Sequence, residues 1–213
     1  MRIDVFTLVP HAFAWLTEQQ PIAGVLGTEL ELRLVNYRET TPLRAGQVDD
    51  EPYGGGAGMV LRVDVVAAAL EAVYAGERPE RVIALTPQGR PLTQQIVEEL
   101  AEEKHLTLLS SRFEGFDERI VEHLATDAIS VGPYVLSNGD LPAMIVLDAV
   151  ARRLPGALAE GSGELESFSE ELGGGLEYPH YTRPAEFRGW KVPDVLLSGD
   201  HAKIEAWRRE RVR

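Results

Sequence analysis

The chain has 213 residues, of which 44% are hydrophobic and 26% are charged, a balance typical of an ordinary globular protein. A chain of this length holds one substantial domain, or one domain with a small appendage. The absence of cysteine excludes disulfides, zinc–thiolate sites and thiol catalysis. No apolar run approaches the roughly 18 residues that a membrane helix needs, and no signal peptide precedes Arg2, so we expect a cytoplasmic protein.

The formal net charge of −13 is unevenly distributed along the chain. Taken as a sum, it disfavours nucleic acid as a partner, because phosphate contacts require Lys and Arg. Residues 160–177, however, contain six Glu and no Lys or Arg, whereas residues 201–213 contain one Lys and four Arg against two Glu. The charge therefore weakens a nucleic-acid function without excluding it.

The apolar pattern predicts strands alternating with helices over residues 1–155. The predicted strands cover residues 2–9, 29–35, 81–86, 105–110 and 127–131. The predicted helices are a short one after Pro10 and longer ones at 64–75 (capped by Asp64), 92–103 (capped by Thr93), 117–124 and 141–154. This alternation is typical of an α/β domain with a largely parallel sheet.

The chain changes character after residue 155. Residues 156–177 are rich in Gly and Glu and poor in bulky apolar residues, which predicts a flexible linker. Residues 178–213 reintroduce aromatic side chains and end in a predicted helix that Asp200 caps and that carries Ile204 and Trp207. Because this helix is too small to form a core alone, it must pack on the main domain or on a partner.

Three turn-rich segments follow predicted strands, at residues 86–90, 111–115 and 132–140. Ligands of parallel sheets bind at the carboxyl ends of the strands. The dense Gly and Pro of the third segment would let main-chain groups approach a ligand closely. The convergence of the three segments at one edge of the sheet therefore favours a ligand-binding site over three ordinary strand–helix connections.

Other motifs carry little chemistry on their own. The glycine loop at residues 54–58 lacks the Lys of a phosphate-binding loop, so it is either a flexible surface loop or a loop that closes over a planar substrate. No GxSxG motif is present. The histidines show no metal-ligand spacing, and a structural role is favoured for each: His11, His105, His123, His180 and His201.

Six sequence blocks occur in a family-specific order: VDDEPYGGGAGM, LTPQGRPL, SRFEGFDER, VGPYVLSNGDLPAM, PHYTRP and VPDVLLSGDHAKIEAWR. From Arg2 to about Arg209 the chain resembles the bacterial tRNA (guanine-N(1)-)-methyltransferase family (TrmD), which methylates ring nitrogen 1 of the guanosine immediately 3′ of the anticodon. The resemblance implies a SPOUT-class homodimer, an α/β fold whose parallel sheet is flanked by helices, with a C-terminal trefoil knot and a small helical C-terminal extension. The implied domains are a SPOUT cofactor-binding domain at 1–155, a flexible acidic linker at 156–177 and a short or truncated RNA-binding region at 178–213.

The resemblance also implies that the three turn-rich segments bind S-adenosylmethionine. Main-chain groups of glycine-rich turns suit adenine, and a carboxylate such as Glu114 suits the cationic end of the cofactor. Ser111 stands where the family usually has Gly. The residues that match the family's cofactor contacts are Thr86, Pro87, Gly89, Ser111, Glu114, Val131, Gly132, Pro133, Tyr134, Val135, Leu136, Gly139 and Pro142.

By the same resemblance, catalysis is assigned to Arg152 and Glu166. Methylation of a guanine nitrogen needs a base for the departing proton and a donor for the charge that develops on the neighbouring oxygen. Arg152 matches the family's donor, and Glu166 precedes Ser-Phe where the family has Asp. The family is also magnesium-dependent, although no magnesium site can be assigned from the sequence. The implied RNA-binding residues are Tyr53, Gly54, Gly55, Gly56, His180, Arg183 and Arg208.

Three alternatives remain open at the level of sequence. The first is a SPOUT methyltransferase that acts on another RNA. The second is a catalytically weak cofactor-binding module, suggested by Ser111, Glu166 and a chain that ends at Arg213, where the family usually continues. The third is a nucleotide-binding hydrolase, for which the sequence offers neither a phosphate loop nor a metal cluster.

Overall fold

The computed structural model describes residues 1–75, 77, 79–159 and 166–213. The chain divides into two compact units, Met1–Leu158 and Ala159–Arg213. Within the described part of the chain, no helix is both long enough and apolar enough to cross a membrane.

The strands of the described chain are short except in the centre of the first unit. They are β1 (Arg2–Thr7), β2 (Glu31–Asn36), β3 (Asp49–Asp50), β4 (Val60–Leu61), β5 (Arg81–Pro91), β6 (His105–Ser110), β7 (Asp127–Ser130), β8 (Glu186–Phe187) and β9 (Trp190–Lys191). The α-helices are α1 (Ala14–Thr17), α2 (Ile22–Val25), α3 (Tyr37–Thr40), α4 (Val63–Tyr74), α5 (Gln94–Ala101), α6 (Asp140–Ala151), α7 (Asp194–Leu197) and α8 (His201–Arg209). Short 3-10 turns lie at Pro10–Phe13, Arg44–Gly46 and Glu170–Leu172, and a π-helical turn at Ile120–Leu124.

Five strands form the central sheet of the first unit, in the order β2-β1-β6-β5-β7. Every neighbouring pair in this sheet is parallel. The prediction of an α/β domain with a parallel sheet is therefore confirmed. Because all five strands run the same way, their carboxyl ends lie at one edge of the sheet and their amino ends at the other.

Helices cover both faces of this sheet and create two cores. On one face, Ile3 and Val5 of β1 pack in a buried cluster with residues of α2, α5 and α6. On the other face, Phe6 packs in a second cluster with Tyr37 and the buried side of α4. This follows from the period-two alternation of a strand, which sends successive side chains to opposite faces.

The amino-terminal half of β1 carries a buried polar network. The Asp4 side chain is fully buried, and its oxygens accept hydrogen bonds from Arg2 Nε at 3.0 Å and from the Tyr74 hydroxyl at 2.8 Å. His105 Nε2 lies 2.8 Å from the same carboxylate, and Thr107 Oγ1 lies 2.6 Å from the Tyr74 hydroxyl. Burial is the main cause of a raised pKa at Tyr74, so this phenol stays protonated and available as a donor.

Two of the three predicted helix caps are confirmed. Thr93 caps α5 by accepting from Ile96 N at 3.4 Å, and Asp200 caps α8 by accepting from Lys203 N at 3.2 Å, as predicted. The prediction that Asp64 caps the following helix is wrong, because α4 begins one residue earlier and Asp64 binds the guanidinium of Arg62.

Most predicted bounds differ from the observed ones by one to three residues, and two elements differ more. The helix predicted at 117–124 is mainly the π-helical turn Ile120–Leu124. The strand predicted at 81–86 continues to Pro91, with a break in its register to β7 between Leu85 and Arg90.

The second unit is small and rich in turns. Apart from Ala159, its described part begins at Glu166, and the amide of Phe168 donates to the carbonyl of Gly175 at 2.7 Å. Leu176 and Arg213 exchange two main-chain hydrogen bonds, so the last residue of the chain is tied to this turn. The flexibility predicted for residues 156–177 stays a prediction, and residues 160–165 of that segment lie outside the described residues.

Candidate functional site

The three turn-rich segments meet at the carboxyl edge of the sheet. They surround a cavity of about 150 Å3 whose lining includes residues from the ends of β5, β6 and β7. Leu85, Ile129 and Leu136 supply apolar wall, while Glu114 supplies a carboxylate. The convergence expected from the parallel strands is thus present in the fold.

Most of the residues matched to the family's cofactor contacts line this cavity. They are Thr86, Pro87, Ser111, Glu114, Val131, Gly132, Tyr134, Val135, Leu136, Gly139 and Pro142. Gly89 and Pro133 are not among the residues that line it. A Cβ atom on Gly89 would lie 2.5 Å from Ile129 N, so its lack of a side chain lets β5 approach the main chain of β7.

Gly139 joins the third segment to the end of β6. Its amide donates to Ser111 O at 2.7 Å. A Cβ atom at position 139 would lie 2.6 Å from Ser111 N and 3.0 Å from Ser110 Cα, and both of these are main-chain atoms. Only glycine therefore permits this approach, which closes one side of the cavity.

A buried carboxylate reinforces the same junction. Asp140 begins α6, and its Oδ1 accepts from Thr7 Oγ1 at 2.5 Å and from Ser110 Oγ at 2.7 Å. All three side chains are buried. Burial, and to a lesser extent the charge of Asp140, raises the pKa of Tyr37. Asp140 thus ties the ends of β1 and β6 to the start of α6.

The glycine loop reaches the cavity through Glu114. The amide of Glu114 donates to Met59 O at 2.9 Å, just after the loop. The Glu114 side chain is exposed, and no donor among the described residues hydrogen-bonds to its carboxylate. It is therefore available to a ligand in the cavity.

Beside the glycine loop lies a second, more open cavity with many charged side chains. It contains the fully exposed Tyr53 and several close ion pairs, among them Arg62 with Asp64 and Arg119 with Asp117. The hydrogen bonds that the two guanidinium groups donate lower the pKa of each aspartate. Both carboxylates are therefore charged at neutral pH. The glycines of this loop at 54, 55 and 56 all have positive φ angles.

The remaining predicted RNA-binding residues lie in the second unit. His180 and Arg183 are exposed, and His180 Nε2 lies 2.7 Å from Glu177 Oε1. The guanidinium of Arg208 stacks 4.9 Å from the centroid of the Tyr178 ring. Such a stacked cation presents a flat, positively charged surface.

The two predicted catalytic residues fall in different units. Arg152 is half-buried at the end of α6, in the first unit. Glu166 is half-buried in the second, where its carbonyl accepts from Ser169 N at 3.0 Å. Each of the two residues has an interaction partner.

Some exposed aromatic residues were missed by sequence reasoning. Trp190 is 71% exposed and Phe187 52% exposed, with ring centroids 5.9 Å apart on the β8–β9 hairpin. Phe113, which lines the cavity, is 42% exposed and has a φ of 62°. The sequence feature that could have predicted this hairpin is Arg188-Gly189 between its two strands, because Gly is common in tight turns.

Comparisons with known proteins identify the family of this chain. A family profile described as tRNA (Guanine-1)-methyltransferase TrmD matches residues 1–213. A protein of Brevibacillus brevis named tRNA (guanine-N(1)-)-methyltransferase is 52% identical over 210 residues, covering 98% of this chain and 85% of that protein. Proteins of the same name from Bacillus cereus and Bacillus anthracis are each 48% identical over 213 residues, covering 99% of this chain and 86% of each relative. The chain therefore belongs to the tRNA (guanine-1)-methyltransferase family, TrmD.

Proposed function

We propose that this protein transfers a methyl group from S-adenosylmethionine to ring nitrogen 1 of the guanosine immediately 3′ of the anticodon in tRNA. The observation that carries the proposal is the cavity at the carboxyl edge of the sheet, lined by most of the residues matched to the family's cofactor contacts. Relatives that share about half of their residues with this chain carry the name of this activity.

The chemistry of the cavity fits S-adenosylmethionine. Leu85, Ile129 and Leu136 offer apolar contact to an adenine ring, and the glycine turns expose main-chain donors and acceptors. The Glu114 carboxylate, which has no donor among the described residues, suits a positively charged group. When bound, S-adenosylmethionine supplies an activated methyl group with a neutral thioether as leaving group.

The remaining chemistry falls to Glu166 and Arg152. Glu166 would act as the general base that accepts the proton from guanine N1, as the Asp of the family does. Arg152 would donate hydrogen bonds to the neighbouring carbonyl oxygen, where negative charge accumulates during the transfer. No acid is needed, because the leaving group departs without a proton.

RNA recognition would involve the glycine loop and the second unit. Tyr53 and the glycines at 54, 55 and 56 are exposed, in the loop whose last glycine, Gly58, lies against the cavity residue Glu114. His180 and Arg183 are exposed and could contact phosphates. Arg208 stacks on Tyr178, which supports a contact of this pair with a base or a phosphate. A base held inside the anticodon stack must be flipped out before its N1 can react.

The finer assignments of the family are part of this proposal. They are the trefoil knot in the cofactor-binding domain, the homodimer, the domains 1–155, 156–177 and 178–213, and a requirement for Mg²⁺. Among the described residues, no group of three or more His, Asp or Glu side chains is arranged to hold a metal ion. We therefore attach the magnesium requirement to the reaction and not to particular side chains.

A methyl-transfer assay tests the proposal. The protein is incubated with radiolabelled S-adenosylmethionine and two tRNA transcripts, one with guanosine 3′ of the anticodon and one with adenosine there. We expect label only in the first transcript, with the product identified as 1-methylguanosine by nuclease digestion and mass spectrometry. Label at another position would indicate a different RNA substrate, and cofactor binding without transfer would indicate a catalytically weak module.

A second assay tests the proposed base. Glu166→Gln keeps the size of the side chain but removes its basicity, so we expect the rate of transfer to fall by at least about 100-fold, within the range for loss of a general base. Calorimetric titration should give the same cofactor affinity as for the unmodified protein. The exposed Glu170→Gln, four residues away, is the matched control and should retain activity. Full activity of Glu166→Gln would refute the assignment.

A further inference from the structure

Gly58, the last glycine of the loop at 54–58, lies directly against the side chain of Glu114. A Cβ atom at position 58 would lie 2.5 Å from Glu114 Cγ and 2.7 Å from Glu114 Cδ. Carbon atoms that are not bonded to each other do not approach so closely, because their optimal separation is about 3.5–4.0 Å. Any side chain at position 58 would therefore displace that of Glu114.

We propose that Gly58 is a positioning residue for cofactor binding. Its missing side chain leaves the space in which the Glu114 carboxylate is held toward the positively charged end of the methyl donor. The inference rests on the proposed function, since it concerns the ligand of the cavity that Glu114 lines. It assigns to the glycine loop a role in the cofactor site in addition to any contact with RNA.

Main-chain hydrogen bonds prevent the two segments from separating to make room for a side chain. The amide of Glu114 donates to Met59 O at 2.9 Å, and the amide of Leu61 donates to Gly115 O at 3.0 Å. A third bond joins the amide of Asp117 to Leu61 O, also at 3.0 Å. Since these bonds hold the chain directly after Gly58 against residues 114–117, a methyl group on Gly58 is accommodated by rotating the Glu114 side chain away.

The Glu114 carboxylate has no other restraint among the described residues. Its side chain is exposed, and no described donor hydrogen-bonds to it. The space above Gly58 and the main-chain hydrogen bonds beside it therefore set the direction of the Glu114 side chain. Displacing the Glu114 side chain would turn its carboxylate away from the ligand without disturbing the core. The effect should therefore appear in ligand binding and not in folding.

Gly27 offers a matched control for the substitution. Gly58 and Gly27 both have a φ of 82°, so alanine carries a similar backbone strain at either position. Nothing lies within 4 Å of a Cβ atom built on Gly27, whereas Glu114 blocks the one built on Gly58. The two variants therefore separate backbone strain from displacement of Glu114.

The experiment is calorimetric titration of the full chain with S-adenosylmethionine. We expect Gly58→Ala to raise the dissociation constant roughly tenfold, about 1.4 kcal/mol in binding free energy. Gly27→Ala should change it by less than about twofold. The two variants should show the same loss in thermal midpoint, because their strain is similar.

A double-mutant cycle then shows whether Gly58 acts through Glu114. Glu114→Ala should raise the dissociation constant by about the same factor, and adding Gly58→Ala to it should have no further effect. Equal affinities for Gly58→Ala and Gly27→Ala would overturn the inference, as would a tenfold loss from Gly58→Ala that persists without Glu114. A protein that binds the cofactor with this pattern but methylates no tRNA would instead contradict the proposed function alone. A protein that binds no S-adenosylmethionine would contradict both.

Discussion

The two edges of the central sheet are built from the same strands but differ in how their polar groups are used. Near the amino edge, the buried Asp4 carboxylate is surrounded by Arg2, Tyr74 and His105 within 3.0 Å. Asp127, at the start of β7, is likewise held by guanidinium groups, with Arg90 Nη2 at 2.5 Å. At the carboxyl edge, the Glu114 carboxylate faces a cavity and has no donor among the described residues.

This difference separates stability from function within one sheet. Buried polar groups that are fully paired hold a fold together, and removing one partner leaves the others unsatisfied. An unpaired group beside a cavity contributes little to stability but can bind a ligand. Substitutions at the amino edge should therefore change unfolding, and substitutions at the carboxyl edge should change binding.

The largest effect is expected from Asp4→Ala. The carboxylate is fully buried and has three close partners, so its removal should lower the free energy of unfolding by about 3–5 kcal/mol. Urea unfolding measures this loss, and titration of the folded protein should give an unchanged cofactor affinity. Asp4→Asn keeps one acceptor oxygen and should lose less. A loss below about 1 kcal/mol for Asp4→Ala would contradict the contrast between the two edges.

Gly139→Ala tests the opposite edge. The added methyl group would meet main-chain atoms of Ser110 and Ser111, which cannot rotate away. We expect the cofactor dissociation constant to rise about 100-fold, equivalent to about 2.7 kcal/mol, by calorimetric titration. Gly24→Ala, whose methyl group would meet mainly the mobile amide of Gln20, is the control and should bind normally. Normal binding by Gly139→Ala would show that the close approach at this junction is not needed.

The smallest effect is expected from acid titration of the ion pairs beside the glycine loop. Arg62 and Arg119 lower the pKa of Asp64 and Asp117 in the folded protein. The folded state therefore binds fewer protons than the unfolded state, and this stabilisation, fully present above the unfolded pKa of about 3.9, is lost as the pH falls below it.

The double variant Asp64→Asn, Asp117→Asn tests this titration. Both pairs are partly exposed and screened by solvent, so the change in thermal midpoint at pH 7 should be no more than about 3 °C. Relative to the unmodified protein, the variant should lose less stability between pH 5 and pH 3, as measured by thermal melts. An equal loss in both proteins would show that other groups govern acid unfolding.

Residue patterns along the chain were enough to predict most of the longer helices and strands and the parallel direction of the sheet. Thr93 and Asp200 cap their helices because a side-chain oxygen at the cap position can reach an amide of the first turn, which is a local interaction. The alternation of strands and helices likewise specified a parallel sheet, whose common direction placed three turn-rich segments at one edge. The residues matched to the family's cofactor contacts were identified from sequence blocks that occur in the same order as in the family.

Tertiary structure alone decided the contacts that shape the site. Thr7 and Asp140 are 133 residues apart, and Gly58 meets Glu114 only because a backbone ladder joins two distant segments. Periodicity could not reveal these contacts, since it reports which face a residue occupies and not what it meets there. The same limit applies to Gly89, which matches a cofactor contact of the family and whose packing against the main chain of β7 is seen only in the fold. A glycine's role depends on the atoms that occupy the space where its side chain would be, and these come from elsewhere in the chain.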